Sequence, residues 1–326
     1  MHPSSLTTRR ASHLTFYVSR LSCKKVVPHR FFTAETQSSP SFSRFSPCPR
    51  RLGGALPAFF GGVVLLLTLS ACAETPRVTP TPATIRIATS STLSLLLDDL
   101  GDLYRADHPW VTIQSESLDS AAALDLLNDG AVDLAFVSWL PSDLGARLWN
   151  SPLAYDAVAV IVHPANPVTG LSLAQLRDVF QGRVVDWSAL GWTSESLIVV
   201  SREEGSGTHA AFEEAAMEGR PVTLNAIVQS GSEAMIDYVA RTPGAIGYVS
   251  HGRATSAVKP IAIEGVDPSP LSVVNATYPI GRVLYVTARS EPAGAVRDFV
   301  AWLLSADGQQ TIAERGFGRV ISLPSR

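Results

Sequence analysis

The order of apolar patterns in residues 84–137 leaves this chain few ways to fold. Residues 84–89 (TIRIAT) alternate and are β-branched, the pattern of a strand. Residues 93–106 place leucines at helical spacing with acids among them, which predicts a helix. Residues 110–114 read as a second strand, 121–128 as a second helix stopped by Asp129-Gly130, and 132–137 (VDLAFV) as a third strand. That succession implies a parallel sheet with crossover helices, an α/β fold. Further on, residues 157–162 (AVAVIV) form a continuous apolar run suited to a strand buried on both faces. Helices are predicted over 173–180, after Gly207 to about Met217, and over 232–240, with strands over 198–201 and 245–249. A strand over 282–287 and helices over 292–304 and 307–315 close the chain.

Two α/β units joined by strands near residue 157 and after residue 249 predict two lobes linked by two chain crossings. At roughly 100–200 residues per domain, 326 residues allow two domains once a leader is removed. The expected division is 1–71 as leader and export signal, 72–84 as a lipidated cysteine and Pro/Thr tether, 85–156 plus 251–326 as lobe 1, and 157–250 as lobe 2. Hydrophobic residues make up 46% of the chain and charged residues 17%, enough apolar material for a sizeable core and unlike a disordered chain.

Charge is distributed unevenly. Residues 1–52 hold nine Lys/Arg against one Glu, a net +8; the remainder holds 17 basic against 28 acidic residues, a net −11. An acidic body lacks the cationic face that broad nucleic-acid binding needs. Arg50-Arg51 precede an apolar run over 52–69, followed by Leu69-Ser70-Ala71-Cys72. A basic flank, an apolar centre and small residues before a cut site are the parts of an export signal. The tetrapeptide resembles a bacterial lipobox, whose cysteine is lipidated and becomes the mature N-terminus. An uncleaved membrane helix is the competing reading, since the run approaches the roughly 20 residues of a span. Either places the body outside the cytoplasm. A signal this far from Met1 fits translation starting near Arg50. The Pro/Thr-rich residues 73–84 predict an extended tether. Cys23, Cys48 and Cys72 all precede the body, which therefore has no disulfide, thiolate metal site or cysteine nucleophile.

Ligands of open α/β sheets bind outside the carboxyl ends of strands. Three loops of that kind carry hydroxyl or charged residues: Ser90-Ser91-Thr92, the loop at Ser138, and 202–208. A fourth, around Ser120, precedes the second helix. The segment 201–208 (SREEGSGT) is the most informative. Two glycines let the backbone approach a ligand, and N–H groups at a helix start favour an anion. Ser206 and Thr208 add hydroxyl donors, and Arg202 offers two parallel hydrogen bonds to an oxyanion. The same Ser-Gly-Thr would also cap any ordinary helix, so the segment alone leaves both roles open.

This segment resembles the Arg-x-x-Gly-Ser-Gly-Thr loop of the periplasmic phosphate-binding proteins that feed ATP-driven phosphate importers. In the same order as in that family, residues 157–167 (AVAVIVHPANP) resemble its apolar hinge strand followed by Asn-Pro. Residues 171–187 resemble its Leu-Ser-x-x-Gln-Leu…Ile-Phe-x-Gly…Trp element, and 243–249 (PGAIGYV), 278–286 (YPIGRVLYV) and 299–317 also match. The resemblance implies a type II periplasmic-binding-protein fold, each lobe a mostly parallel sheet flanked by helices. It implies that Arg202, Glu204, Ser206, Gly207 and Thr208 are ligand positions of lobe 2, and that Thr92, the amide of Leu93, Ser120 and Ser138 face them from lobe 1. It departs from the family at Ala121 and Ala123, where glycines stand in a Ser-Gly-x-Gly loop, and at Trp139, where Arg is frequent.

Other chemistries lack their motifs. The Gly-x-Ser-x-Gly elbow is missing around Ser206, since Glu204 and Thr208 occupy the glycine positions, and His209 on the first helical turn points poorly at Ser206. The seven histidines show no metal-ligand spacing, and no phosphate-binding P-loop is present. No catalytic residue, metal or cofactor is expected. The resemblance thus implies a lipid-anchored receptor that captures inorganic phosphate and delivers it to a permease and its ATPase. A receptor for sulfate, tungstate or molybdate and a membrane-tethered phosphate sensor are the alternatives.

Overall fold

The computed structural model describes residues 81–193 and 195–320. The leader, Cys72 and most of the tether lie outside them. In chain order the elements are β1 (Ala83–Ser90), α1 (Ser94–Asp107), β2 (Val111–Leu118), α2 (Ser120–Asn128), β3 (Leu134–Val137), α3 (Ser142–Gly145), β4 (Trp149–Val162), β5 (Gly170–Leu171) and α4 (Leu173–Phe180). There follow β6 (Ile198–Arg202), α5 (Gly207–Ala215), β7 (Ile227–Gln229), α6 (Gly231–Arg241), β8 (Ala245–Ser250), β9 (Lys259–Pro260), β10 (Ala262–Ile263), α7 (Pro270–Val274), β11 (Gly281–Ala288), α8 (Gly294–Leu303), α9 (Ala306–Glu314) and β12 (Gly318–Arg319).

Alternation in β1 decides the layering of the first half. Ile85 and Ile87 face a core shared with Leu96, Leu97, Leu100 and Tyr104 of α1, Phe299 of α8 and Ile312 of α9. Ala88 faces the other side, against Ala123, Leu124 and Leu127 of α2. The strand is thus buried on both faces, as a parallel sheet covered by helices requires. In the second half Phe180 of α4, Phe212 of α5 and Tyr248 of β8 share one core, while Met235 and Val239 of α6 cover the opposite face. Ser172 caps α4 with a reciprocal bond to Gln175, and buried Trp187 donates through Nε1 to the Gly244 carbonyl (2.8 Å).

The strands hydrogen-bond in the order β2-β1-β3-β11-β4-β8-β6-β7. β1 is parallel to β2 and β3, and β6 is parallel to β7 and β8. Between these triplets β11 runs antiparallel to β3 and β4, and β4 antiparallel to β8. The α/β class and mostly parallel sheets follow the sequence expectation. β4 ends at Val162 as expected but does not start where expected. It begins at Trp149, not at residue 157, and its first stretch pairs with β11 before Val158–Val162 pairs with β8. Pro152 sits where the register shifts between Leu284 and Tyr285, and a bulge is where a sheet tolerates proline. The return through residues 259–280 also packs partly with the second half: β9 pairs with the end of β4, β10 with β5, and Tyr278 and Ile280 join the core around Phe180.

Candidate anion-binding site

The carboxyl ends of β1, β3 and β6 and the start of α2 bring their loops together. Thr92, Ser120, Ser138, Arg202, Ser206 and Thr208 are all buried, between 1% and 3% exposed. Thr92 Oγ1 lies 3.1 Å from Thr208 Oγ1, so a hydroxyl of the first half touches one of the second. Ser120 Oγ accepts from the Ser138 amide (3.1 Å) and lies 3.2 Å from Ser138 Oγ. Ala121 N donates to the Gly205 carbonyl at 3.2 Å, and Trp139 Nε1 to Glu214 at 3.3 Å, two more links between the halves.

Two glycines make this approach possible. Gly205 has φ +89°, a backbone region other residues rarely adopt, and a β-carbon there would lie 3.0 Å from the Asp119 carboxylate. Gly207 has no such torsion; its constraint is space. A β-carbon on it would lie 2.4 Å from Ser120 Oγ and 2.5 Å from Ser138 Oγ. Ser206 caps α5, its Oγ accepting from the His209 amide (3.3 Å), so the first-turn N–H groups face the same loops.

Arg202 supplies the charge. Its Nε and Nη2 donate to the Glu203 carboxylate at 2.8 and 2.7 Å, and Nη2 also reaches Ser91 Oγ at 3.4 Å. Its Nη1 is buried and has no hydrogen-bond partner. Burial pushes the Glu203 carboxyl up, but the hydrogen bonds and charge of Arg202 outweigh that and hold it below the ordinary carboxylate range. A buried guanidinium N–H left unbonded is costly and is a place for an acceptor to arrive.

A second guanidinium stands in the same cluster. Arg282 of β11 donates through Nε and Nη2 to the fully buried Asp156 carboxylate of β4 (2.9 and 2.8 Å). Its Nη1 donates to Thr208 Oγ1 (3.1 Å) and the Ser138 carbonyl (3.3 Å), one group on each side of the cleft. Burial lowers its pKa from the ordinary arginine value, and Asp156 opposes that. Each guanidinium therefore has its own carboxylate, and what the cluster presents is oriented N–H and O–H groups, not net positive charge. Hydroxyls both donate and accept, so an oxyanion can replace the present hydroxyl–hydroxyl bonds.

The structure gathers seven of the nine residues singled out in the sequence into this cluster. The other two differ. The Leu93 amide is engaged with the Ser90 carbonyl at 2.8 Å. Glu204 is exposed at the cleft mouth and has no hydrogen-bond or ion-pair partner among the described residues; the carboxylate on Arg202 is its neighbour Glu203. Ser91, Glu203, Asp156 and Arg282 were not singled out. An arginine inside the apolar stretch YPIGRVLYV was the available signal, since such a residue is almost never buried unpaired. His209 turns its ring away from Ser206, its Nδ1 lying 2.7 Å from Tyr248 Oη and 3.3 Å from Ser201 Oγ. Among the described residues no group of His, Cys, Asp and Glu is arranged to hold a metal, and no helix is long and apolar enough to cross a membrane.

A family model, the PBP superfamily domain, matches residues 74–307. The phosphate-binding protein PstS of Pseudomonas aeruginosa is 28% identical over 268 residues, covering 73% of this chain and 82% of that protein. PstS of Bacillus subtilis is 27% identical over 233 residues, covering 70% and 77%. Among solved structures, a phosphate ABC transporter substrate-binding protein of Clostridium perfringens with bound phosphate is 28% identical with a TM-score of 0.70, covering 73% of this chain and all of that one. An ABC-type phosphate transport receptor from Vibrio cholerae is 29% identical with a TM-score of 0.62, covering 72% of this chain and all of that one.

Proposed function

This chain belongs to the PBP superfamily, and from that premise we propose that it is a non-enzymatic receptor for inorganic phosphate, held between the two halves of its sheet. One observation carries the reading: hydroxyls from both halves converge beside a buried Arg202 whose Nη1 has no partner. The relatives named phosphate-binding protein and phosphate transport receptor support the choice of anion. In this reading Thr92, Ser120, Ser138, Ser206 and Thr208 give hydroxyl bonds, Arg202 the charged bond, and Gly207 its backbone. The Leu93 amide joins by releasing the Ser90 carbonyl. Glu204 accepts the proton of hydrogen phosphate at the rim. Sulfate is fully ionised, has no proton to give, and meets a like charge. Competition of the two anions against labelled phosphate, at fixed pH and salt, tests the assignment. Wild type is expected to prefer phosphate strongly, and Glu204→Gln to narrow the preference a few-fold, since an exposed carboxylate is weakened by solvent. Equal affinities in wild type would shift the assignment to another oxyanion.

Delivery to an ATP-driven permease outside the cytoplasm, from a lipid anchor on Cys72, completes the proposal. The lipobox-like Leu69-Ser70-Ala71-Cys72 supports the anchor. Lipidation requires the thiol, so Cys72→Ser is expected to release the protein from the detergent-extracted membrane fraction or to block maturation. Unchanged membrane retention and mass would point to an uncleaved helix.

A further inference from the structure

The cleft beside Arg202 is far larger than a tetrahedral oxyanion. Its volume is about 810 Å3. Four oxygens at roughly 30 Å3 each, a water molecule's share of the liquid, would fill only about a seventh of it. Its inner side is apolar, with Leu124, Trp139 and Leu144 from the first half and Val222 from the second, and the exposed Leu224 and Val228 stand at its open edge. The polar groups gather at one side, where Ser201, Arg202, Ser206 and His209 line the space. A cavity of this size, with apolar walls and a few converging polar groups, is the usual form of a site for an organic ligand.

The polar side is built, not incidental. Arg202 is 3% exposed, and its Nη1 is buried without a partner. Ser201 Oγ, Tyr248 Oη and His209 Nδ1 hydrogen-bond to one another, with Ser201 to Tyr248 at 2.9 Å and His209 to Tyr248 at 2.7 Å. The Arg202 amide donates to the same Tyr248 Oη at 3.3 Å. The hydroxyl cluster that meets the oxyanion does not use this network. It fixes Ser201 and His209 along the edge of the groove, with His209 Nε2 3.4 Å from Glu213. The exposed carboxylates Asp125 and Glu204 line the groove, as does the half-buried Glu213, and these would repel a second anionic group.

We propose that the cleft takes an organic phosphomonoester or phosphonate, its oxyanion on the 202–208 loop and an uncharged or cationic substituent in the apolar groove. The inference rests on the reading that this loop binds phosphate.

Calorimetric titration of the full-length protein with inorganic phosphate, phenyl phosphate and 3-phosphoglycerate tests it, together with Ala210→Trp, which fills the groove from α5. Phenyl phosphate is expected to bind within tenfold of phosphate and to compete with it, and 3-phosphoglycerate to bind at least tenfold more weakly than phenyl phosphate. Ala210→Trp should weaken phenyl phosphate at least tenfold and phosphate less than threefold. Because Leu224 is fully exposed and its substitution leaves the core intact, Leu224→Asp gives a second measure and should also weaken phenyl phosphate selectively. Normal phosphate binding with phenyl phosphate more than tenfold weaker overturns the inference and leaves the phosphate reading standing. Equal losses of both ligands in both variants overturn the placement of the substituent. Binding of neither ligand by wild type overturns both readings.

Discussion

At Gly207 the missing side chain lets the halves meet. Ser120 Oγ and Ser138 Oγ occupy the space a β-carbon would need, at 2.4 and 2.5 Å; the two hydroxyls bond each other, and Ser120 Oγ also accepts from the Ser138 amide. Gly207→Ala must therefore displace them or hold the cleft ajar. Overpacking of this kind costs about 1–3 kcal/mol, so phosphate affinity should fall roughly 5- to 150-fold. Unaltered affinity would show that the close approach at Gly207 does not matter for binding. The neighbouring acids teach a different lesson. In Arg202-Glu203-Glu204 the sequence offers two carboxylates to one arginine, and spacing alone does not say which one turns inward. The structure gives Glu203 the bidentate contact and leaves Glu204 in solvent.

At the scale of elements, β4 and β11 are the strands the halves share, and Asp156 and Arg282 bind them to each other and to the site. Ser250 Oγ of β8 donates to the same Asp156 carboxylate at 2.9 Å. Removing one partner of a buried pair leaves the other charge unpaired and costs about 3–5 kcal/mol. Asp156→Ala is expected to lose that much in urea unfolding. The double variant Asp156→Leu/Arg282→Met should regain most of the stability, because well-packed apolar replacements of a buried pair are often neutral. It should not regain phosphate affinity, because Thr208 Oγ1 and the Ser138 carbonyl lose their common donor. Full recovery of both would reduce the pair to packing. Most elements were legible in the sequence because local periodicity makes them: residues 173–180 are the helix expected, and the first three strands differ from expectation only at their ends. The start of β4 was not legible, because Pro152 and the polar residues around it read as a break and only the facing bulge accommodates them. The Asp156–Arg282 pair spans 126 positions. No local pattern links residues so far apart.

Over the whole molecule, an acidic body and an anion site are compatible because they act at different ranges. Charge outside the site is screened beyond about 8–10 Å at physiological salt, whereas the cluster's donors act at about 3 Å. The acidic surface should slow capture more than it weakens binding. The site draws on both halves at once, so its residues were legible as separate loops after β1, β3 and β6, while their assembly depends on the strands between them. The central claim is that a buried Arg202 meets an oxyanion brought between these halves. Calorimetric titration of the full-length protein with phosphate, comparing wild type, Arg202→Lys and Arg202→Ala, tests it most directly. One site per chain is expected in wild type, with about 2–5 kcal/mol lost in Arg202→Ala and only part of that recovered by lysine, which lacks the planar fork. Wild-type affinity in Arg202→Ala would contradict it.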